Sequence, residues 1–546
     1  MLRYPEGPLT VVASLEQAMT HWPDQTYLQT MGHSRLTFAD VDHESDRIAA
    51  GLAALGVVKG DRVCTMMDTH ADTVILWYGI MKLGAVAAPV NTSYMGEFLR
   101  HQIADCGARL VVAEAEYAER IARLADGLPE VERVVLRGNE AHIDAPWPVS
   151  GFGILRGDAQ ARPQVDIHPS DLALLIYTSG TTGPSKGCMI SHGYACQHTN
   201  TMQGGHDMVR GDVVWMPLPL FHITGLCGLT LCAARVGATI DLIPRFSVSG
   251  FWEEIEQSGA TLALLMGSML ALVARAPESD AERRCFGQLQ KVIGAPLSPE
   301  VKKTWQERFG VKRIGAPGYG QTEASIVVRL KVGEQQKDGT TGQRFEDYDV
   351  RILDDNGEEC PPDVAGEICL RPMVVHGIFD GYWNRPEETA RVWRDLWMHT
   401  GDIGKFDAEG NLIFVDRKKD YLRKGGENIS SMEMDAAFMQ RPEIIDVCVH
   451  AVASDLAEDE VKVAYVLAEG AQLDERTLCA WAMENIPAFA VPRYYECVAD
   501  LPRTPNGKVR KVELREAGIT IGTWDRQQSD LARKRRRPMQ HAGLSA

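Results

Sequence analysis

The stretch that decides the fold runs from residue 172 to residue 187 and reads LALLIYTSGTTGPSKG. Its opening run, LALLI, is continuously apolar, which predicts a strand buried on both faces. The rest offers three glycines, four serine or threonine hydroxyls between residues 179 and 185, and the cation of Lys186. Glycines let backbone N–H groups approach an anion, and hydroxyls and lysine bind phosphate oxygens. We therefore predict a phosphate-binding loop that directly follows a buried strand.

This loop is not a Walker A motif, because Lys186 stands between Ser185 and Gly187 and the GxxxxGK[ST] spacing is missing. By composition alone, a flexible Gly/Ser/Thr loop without a ligand explains the segment equally well. The buried strand immediately before the loop favours the phosphate-binding interpretation.

Outward from the loop, short apolar runs alternate with helical periodicity between about residues 108 and 316. The predicted buried strands are ARLVVAEA, LALLIYT, VVWMPLP, TIDLIP, TLALLMG and LQKVIGAP, and the predicted helices are FWEEIEQ and EVKKTWQERFG. Such alternation predicts an α/β fold with parallel sheets. From about residue 348, two strands around an Asp-Asn-Gly turn predict a small antiparallel β unit.

The chain beyond about residue 420 has the pattern of a small α+β domain. IIDVCVHAV and EVKVAYVLAEG are predicted strands, and LDERTLCAWAMENI is a predicted helix. We therefore predict three parts. They are a large N-terminal α/β domain of parallel and mixed sheets with a small β unit at residues 1–418, a small α+β domain at residues 419–520, and a polar basic tail at residues 521–546.

The composition is that of an ordinary globular protein, with 45% hydrophobic and 24% charged residues among 546. The formal net charge of -17 argues against nucleic acid as the main partner, but local basic residues can still bind phosphate-bearing small molecules. No signal peptide is visible, and the longest apolar run, residues 261–274, is too short for a membrane span. We expect a cytoplasmic protein with buried, reduced cysteines.

Further motifs follow in order along the chain. They are Pro219-Leu220-Phe221-His222, Gly294-Ala295-Pro296, Tyr319-Gly320-Gln321-Thr322-Glu323, His399-Thr400-Gly401-Asp402, Asp416-Arg417-Lys418-Lys419-Asp420 with Gly425-Gly426-Glu427, and Pro505-Asn506-Gly507-Lys508. Together with the loop they resemble the adenylate-forming superfamily of acyl-CoA synthetases, luciferases and peptide-synthetase adenylation domains. The segments SYMGEFLRHQI (93–103) and GGENISSMEM (425–434) look most like the crotonobetaine/carnitine-CoA ligase type.

The resemblance implies an AMP-binding N-terminal domain and a mobile C-terminal domain that carries a catalytic lysine. The implied nucleotide-binding residues are Thr178, Ser179, Gly180, Thr181, Thr182, Gly183, Lys186, Gly294, Ala295, Pro296, Tyr319, Gly320, Gln321, Asp402 and Arg417. The implied catalytic residues are Lys508, Thr322, Glu323 and His222, and Gly425, Gly426 and Glu427 are the implied CoA-binding residues. In this assignment Tyr319 stacks on adenine, Thr322 contacts the α-phosphate, and Asp402 binds the ribose together with Arg417.

Three of these roles also fit the chemistry of the side chains. The Glu323 carboxylate beside a phosphate loop is a natural Mg²⁺ ligand, although an isolated glutamate is more often a surface acid. The Asp402 carboxylate can accept hydrogen bonds from two ribose hydroxyls, although an isolated aspartate more often caps a turn. Lys508 supplies a cation where two anions must approach each other, although a lysine after a turn is usually only solvated.

The resemblance further implies a two-step reaction that uses ATP, Mg²⁺ and coenzyme A. A small-molecule carboxylic acid attacks the α-phosphate, pyrophosphate leaves, and the thiol of CoA then takes the acyl group from acyl-AMP. Between the steps the C-terminal domain rotates about a hinge at Lys419. A homodimer is compatible with the sequence, whereas a nucleic-acid partner and a transmembrane segment are not expected.

The sequence says less about the acid. His222 follows Phe221 where amino-acid adenylation domains carry an aspartate, so an amino acid is not the expected substrate. The predicted acyl pocket is lined by residues 222–225, 266–270, 294 and 318–328. The bulky Met266, Met269 and Val327 favour a short- or medium-chain or compact substituted acid, such as a carnitine-type acid.

Two alternatives stay open. The adenylate could pass to another acceptor than CoA, or the chain could be a catalytically dead nucleotide-binding homologue. The joint presence of Lys186, Glu323, Asp402 and Lys508 argues against the second. One departure from the family pattern is Asp395-Leu396-Trp397, where Asp-Gly-Trp is common.

Overall fold

The computed structural model describes residues 3–5, 7–31, 34–138, 143–178, 184–295, 297–315, 318–330, 334, 336–417, 421–424, 427–454, 459–503 and 509–533. The chain divides into two compact units, and the main division falls between residues 419 and 420. The first unit comprises residues 1–92, 99–178 and 185–419, and the second comprises residues 93–98, 179–184 and 420–546.

The first unit contains a seven-stranded sheet whose last two strands flank the predicted phosphate loop. In spatial order its strands are Val149–Gly151, Arg133–Arg137, Leu110–Glu114, Arg62–Met66, Val86–Pro89, Leu172–Thr178 and Lys186–Ser191. Neighbouring strands are parallel except for the last pair, in which Thr178 lies opposite Lys186. The apolar run LALLI is therefore an interior strand, as its burial pattern predicts.

A second seven-stranded sheet in the same unit is also mainly parallel. Its strands, in spatial order, are Arg313–Gly315, Lys291–Ile293, Leu262–Leu264, Val213–Met216, Thr239–Leu242, Thr26–Thr30 and Arg35–Thr37. Only the pair at residues 26–37 is antiparallel. The run at residues 261–274 contains the predicted buried strand, at Leu262–Leu264, followed by the helix Gly267–Arg275.

Two smaller antiparallel sheets complete the first unit. One contains Gly318–Gln321, Ser325–Arg329 and Gln343–Arg344. The other contains Tyr348–Leu353, Gly366–Pro372, Trp397–Phe406 and Trp393–Arg394, with Leu412–Arg417 paired to Trp397–Phe406. The strands predicted from residue 348 onward are confirmed as an antiparallel pair.

Helices cover these sheets, and several begin at a side-chain cap. The helices of the first unit are Val11–His21, Phe38–Ala54, Ala71–Lys82, Ala118–Ala122, His192–His206, Cys232–Val236, Phe251–Ser258, Gly267–Arg275, Asp280–Arg284, Pro299–Glu307 and Pro386–Val392, with a π-helix at Thr224–Leu231. The helix Gly96–Cys106 begins in a segment of the second unit and continues into the first. Thr37 and Asp40 form a capping box at the second helix. Ser191 ends the last strand of the first sheet and caps the helix His192–His206.

The departure at Leu396 lies in a two-residue turn between the paired residues Arg394 and Trp397. Asp395 and Leu396 both have positive φ, 50° and 66°. This conformation suits glycine and is unfavourable for leucine, because Cβ crowds the backbone there. The Leu396 side chain projects into solvent at 79% exposure. Leucine in place of the family's glycine therefore strains the turn backbone without crowding neighbouring side chains.

The second unit is a small α+β domain. It contains the hairpin Tyr421–Lys424 with Glu427–Ser430, and a four-stranded sheet of Ile444–Ala453, Asp459–Leu467, Tyr494–Cys497 and Trp524–Asp525. Its helices are Ser431–Phe438, Glu475–Asn485 and Lys511–Ala517. The strand at residues 524–525 belongs to the segment that the sequence analysis placed in the polar tail, and Arg493 binds the Asp525 carboxylate there.

The predicted fold class is confirmed, with a large N-terminal domain of parallel and mixed sheets and a smaller C-terminal domain. Among the helices that the structure describes, none is long and apolar enough to cross a membrane. Of the cysteines, ten are buried, and all are free thiols.

Candidate active site

Thr178 and Lys186 flank the predicted phosphate loop and face each other across an antiparallel pair of strands. Thr178 is the last residue of its strand, at the carboxyl end of a parallel sheet, where open α/β folds place their ligands. Ser179, Gly180, Thr181, Thr182 and Gly183 lie outside the described residues. The two ends of the loop are thus fixed by backbone pairing.

The ammonium group of Lys186 has two neighbours that the sequence analysis did not identify. It forms an ion pair with Glu388 and lies 5.1 Å from the centre of the Tyr382 ring. The Lys186 side chain is only 13% exposed, which strengthens both interactions relative to water. A phosphate that binds Lys186 therefore competes with the Glu388 carboxylate.

Glu323 occupies the tight turn of a hairpin beside Thr178. Its carboxylate is buried and accepts hydrogen bonds at Oε1 from Thr178 Oγ1 (3.3 Å) and from the Tyr382 hydroxyl (2.9 Å). The hydrogen bond from Thr178 joins the end of the first sheet to the hairpin at residues 318–329, which follows the strand Arg313–Gly315 of the second sheet. Thr178, the residue before the predicted phosphate loop, therefore contacts the predicted metal ligand directly.

The hairpin turn that carries Thr322 and Glu323 has little freedom. A Cβ atom on Gly320 would lie 1.8 Å from the Ser325 carbonyl oxygen, so this position of the motif requires glycine. Gln321 pairs with Ser325 across the turn, and the Tyr194 hydroxyl donates to the Thr322 carbonyl at 2.8 Å. The backbone around Thr322 is consequently held from both sides.

Tyr319 and Asp402 form the second part of the site. The Tyr319 hydroxyl donates to Asp402 Oδ2 at 2.7 Å, and both side chains are buried. Asp402 also pairs with Arg417 in the backbone ladder, although the Arg417 side chain is not described. The residue predicted to stack on adenine thus contacts the residue predicted to bind ribose.

The turn before Asp402 is anchored to the neighbouring strand. Thr400 Oγ1 donates to the Ile368 carbonyl at 2.7 Å, and the Gly401 N–H donates to Glu367 Oε1 at 3.1 Å. Glu367 Oε2 also lies 3.0 Å from His399 Nδ1. These contacts fix the His-Thr-Gly-Asp motif independently of any ligand.

Gly294 and Ala295 follow the strand Lys291–Ile293 at its carboxyl end. A Cβ atom on Gly294 would lie 2.3 Å from the Leu265 carbonyl oxygen, so a side chain cannot be placed there without backbone movement. The Gly267 N–H donates to the Ala295 carbonyl at 3.0 Å. Pro296, the third residue of this motif, lies outside the described residues.

His222 follows the carboxyl end of another strand of the second sheet, Val213–Met216. Its carbonyl accepts the Gly225 N–H at 3.1 Å, at the beginning of the π-helix Thr224–Leu231. π-Helical turns are rare and are frequently found at functional sites. The structure therefore places His222 at the same edge of the sheet as Gly294.

Four further predicted residues lie outside the described residues, namely Lys419, Gly425, Gly426 and Lys508. Glu427, the remaining predicted CoA contact, is described and pairs with Lys424 in the hairpin of the second unit. The roles of these residues remain predictions from the sequence.

Three residues at the site were not predicted from the sequence, namely Tyr194, Tyr382 and Glu388. Tyr382 belongs to the cluster Gly381-Tyr382-Trp383, and Glu388 follows this cluster. The glycine and aromatics of the cluster could have marked a tight functional turn. Tyr194 had no comparable signal, because its importance arises from a contact across more than a hundred residues.

Comparison with known proteins agrees with this geometry. The profile of the AMP-binding enzyme family matches residues 15–383, and the profile of the AMP-binding enzyme C-terminal domain matches residues 433–508. The chain belongs to the AMP-binding enzyme family. The predicted class, an AMP-forming acid–thiol ligase, is thereby confirmed.

Individual relatives extend this comparison. A crotonobetaine/carnitine–CoA ligase of Salmonella arizonae is 30% identical over 88% of this chain and 93% of its own length. An anthranilate CoA ligase, AuaEII, solved with anthranoyl-AMP, is 25% identical with a TM-score of 0.68, over 94% of this chain and 98% of its own. The amide bond synthetase McbA of Marinactinospora thermotolerans has a TM-score of 0.77 at 24% identity, over 92% and 99% of the two chains, which shows a shared fold.

Proposed function

We propose that this AMP-binding enzyme activates a short or compact substituted carboxylic acid with ATP and transfers the acyl group to coenzyme A. The observation that carries the proposal is the meeting of Thr178, Lys186 and Glu323 at the carboxyl end of one sheet. Tyr319 lies on the same hairpin as Glu323, and its hydroxyl binds Asp402 on the strand Trp397–Phe406. A cation, hydroxyl donors and two buried carboxylates suit the phosphates, the metal and the ribose of ATP.

In the first step, a carboxylate oxygen of the acid attacks the α-phosphorus of ATP, and the bond to pyrophosphate breaks. The acid is already an anion, so no strong base is needed. Lys186 holds phosphate oxygens of ATP after leaving Glu388, and Thr322 contacts the α-phosphate. Lys508 supplies positive charge where the two anions approach, which stabilises the transition state.

The residues around Glu323 fit a Mg²⁺ ion. Mg²⁺ in nucleotide sites is held by one or two carboxylates together with phosphate oxygens and waters. Glu323 provides one buried carboxylate, and both hydroxyls that bind it reach the same oxygen, Oε1. When bound, Mg²⁺ would neutralise charge on the leaving pyrophosphate.

In the second step, the thiolate of CoA attacks the acyl carbonyl of acyl-AMP and AMP leaves. We assign the glycine pair Gly425-Gly426 and Glu427 to the CoA path, because residues without side chains leave room for a narrow pantetheine arm. Lys419 is the proposed hinge between the two states. The division of the chain next to Lys419 supports this assignment.

Two observations bear on the identity of the acid. The relative from Salmonella arizonae is named for crotonobetaine and carnitine, which supports a compact substituted acid of that kind. The bulky Met266 and Met269 in the predicted pocket support a short chain. A homodimer and a cytoplasmic location stay predictions.

A screen of pyrophosphate release tests the proposal. Short, medium, aryl and betaine-type acids are each supplied with ATP and Mg²⁺, with and without CoA, and acyl-CoA is identified by mass. We expect release with a compact acid and CoA-dependent formation of the thioester. Release without any thioester would indicate another acceptor, and no release with any acid would favour an inactive nucleotide-binding homologue.

A further inference from the structure

The helix His192–His206 buries a histidine whose ring has no hydrogen-bonding partner in the described part of the chain. His198 is 3% exposed, and both of its ring nitrogens are enclosed and unpaired there. Burial lowers its pKa to about 3, so the ring is neutral and offers one N–H donor and one acceptor. Buried polar groups in native proteins are nearly always paired, so an orphaned pair of nitrogens indicates a missing partner.

The neighbours of His198 on its helix bind the turn that carries the predicted catalytic residues. Tyr194, four residues earlier, donates to the Thr322 carbonyl at 2.8 Å. Thr201, three residues later, lies 2.5 Å from the Ser325 hydroxyl. Residues three and four apart share one face of a helix. His198 therefore lies on the helix face that is attached to the turn at residues 322–325.

The π-helix that follows His222 approaches His198 from another direction. A Cβ atom added to Gly228 would lie 3.4 Å from His198 Nε2 and 3.0 Å from Met202 Cε. Gly228 therefore packs closely against the Nε2 side of the His198 ring. His198 lies between the π-helix that follows His222 and the turn at residues 322–325, and both His222 and this turn belong to the predicted acyl pocket.

We propose that His198 is a specificity-determining residue that forms a hydrogen bond with a hydroxyl or carbonyl group on the acyl chain of the substrate. The enzyme then prefers hydroxy or oxo acids over unsubstituted acids of equal length. This inference rests on the proposed function, because it concerns the acid that is adenylated. The neutral ring is suited to an uncharged polar group, since it can act as donor or acceptor.

Matched acids test this assignment in the full-length enzyme. The pairs are 3-hydroxybutanoate with butanoate, 4-oxopentanoate with pentanoate, and carnitine with 4-(trimethylammonio)butanoate, with kcat/KM measured by pyrophosphate release. We expect the wild type to favour the polar member of at least one pair by about tenfold or more, because a site built for a hydrogen bond discriminates against a substrate that lacks it.

Variants assign the preference to His198. His198→Leu should reduce the ratio within the preferred pair by about tenfold, as the loss of one hydrogen bond would, and His198→Gln should retain part of it. His206→Leu is the matched control. His206 is on the same helix, is as deeply buried and has both ring nitrogens unpaired in the described part, but it lies two turns farther along.

The outcomes separate this inference from the proposed function. Equal use of both members of every pair by the wild type, or an unchanged ratio in His198→Leu, overturns the inference and leaves the function standing. A ratio that falls equally in His206→Leu also overturns it. Should His198→Leu fail to fold, the wild-type ratios and His198→Gln decide. No pyrophosphate release from any acid defeats both proposals.

Discussion

At the candidate active site of the first unit, the buried carboxylate of Glu323 accepts hydrogen bonds from the hydroxyls of two neutral side chains, Thr178 and Tyr382. In the second unit, buried Lys462 is paired with Glu496 at 2.5 Å, and Lys511 is paired with Asp435 at 3.3 Å. A neutral hydroxyl can be exchanged for a metal ion without leaving an opposite charge unpaired, whereas an ion pair cannot be opened so easily. The difference distinguishes groups available for ligands from groups that hold a domain together.

The largest effect is expected at Lys508, a cation of the second unit that we propose acts in the first step of the reaction. Lys508→Ala should reduce acid-dependent pyrophosphate release about a thousandfold, because a cation is lost where two anions approach. Thioester formation from preformed acyl-AMP should persist. Arg510→Ala is the control, since exposed Arg510 pairs only with nearby Glu513 among the described contacts. Equal loss of both half-reactions in Lys508→Ala would contradict its assignment to the first step.

The second prediction concerns the buried ion pair between Lys462 and Glu496 in the second unit. Lys462 is 3% exposed and also donates to the Gly518 carbonyl. Lys462→Met should lower the free energy of unfolding by about 3 kcal/mol, because it leaves the Glu496 carboxylate partly buried without its cation. Thermal and urea unfolding of the full-length protein measure this change.

The control for this variant is an exposed ion pair in the same unit. Arg476 binds Asp530 at 2.6 Å, but both side chains are 58% exposed, and exposed pairs add little stability. Arg476→Met should therefore unfold like the wild type. A stability loss in Arg476→Met equal to that in Lys462→Met would show that burial does not distinguish the two pairs.

The third prediction concerns Glu323, whose carboxylate is bound by neutral hydroxyls. Glu323→Gln should reduce adenylation about a hundredfold and raise the Mg²⁺ concentration needed for half-maximal rate, because a neutral amide is a poor Mg²⁺ ligand. The melting temperature should change little. A Mg²⁺ titration of pyrophosphate release measures the effect.

Glu282→Gln is the matched control for Glu323→Gln. Glu282 is a buried carboxylate of the first unit, but both of its oxygens are bound by Arg308. This variant should lose stability while keeping the Mg²⁺ dependence of the wild type. If Glu323→Gln shows an unchanged Mg²⁺ titration, Glu323 is structural and the contrast between the two kinds of carboxylate fails.

The smallest expected effect concerns an ion pair at the candidate active site, the pairing of Lys186 with Glu388. Glu388→Gln should lower the KM for ATP by about two- to fivefold, because the ATP phosphates no longer compete with a carboxylate for Lys186. Neighbouring Glu387 is exposed, so Glu387→Gln should leave the KM for ATP unaltered. A raised KM in Glu388→Gln would instead show that Glu388 positions Lys186 for binding.

The local part of the site could be predicted because its physics is local. An apolar run before a glycine- and hydroxyl-rich loop specifies a strand that ends in a phosphate loop, and the structure has this strand in the interior of a sheet. Glycine at residues 294 and 320 was likewise readable as part of a motif, and the structure supplies the reason in the short distances to neighbouring carbonyl oxygens.

The contacts between distant segments could not be read from the sequence. Tyr382, Glu388 and Tyr194 reach the site through contacts that span tens to hundreds of residues, and no local periodicity encodes such a pairing. The strained turn at Leu396 shows the converse, since the missing glycine was visible in the sequence, whereas the positive φ of 66° that makes glycine favourable there came from the structure.

The sequence by itself determined the fold class, the order of the motifs and the family, because alternating apolar runs and glycine-rich loops are properties of short segments. Only the tertiary structure decided which side chains share a proton or a charge. It joined Glu323 to two hydroxyls, Lys186 to Glu388 and Tyr319 to Asp402. The physical reason is that hydrogen bonds and ion pairs depend on separations of about 3 Å, which the packing of whole sheets and helices sets.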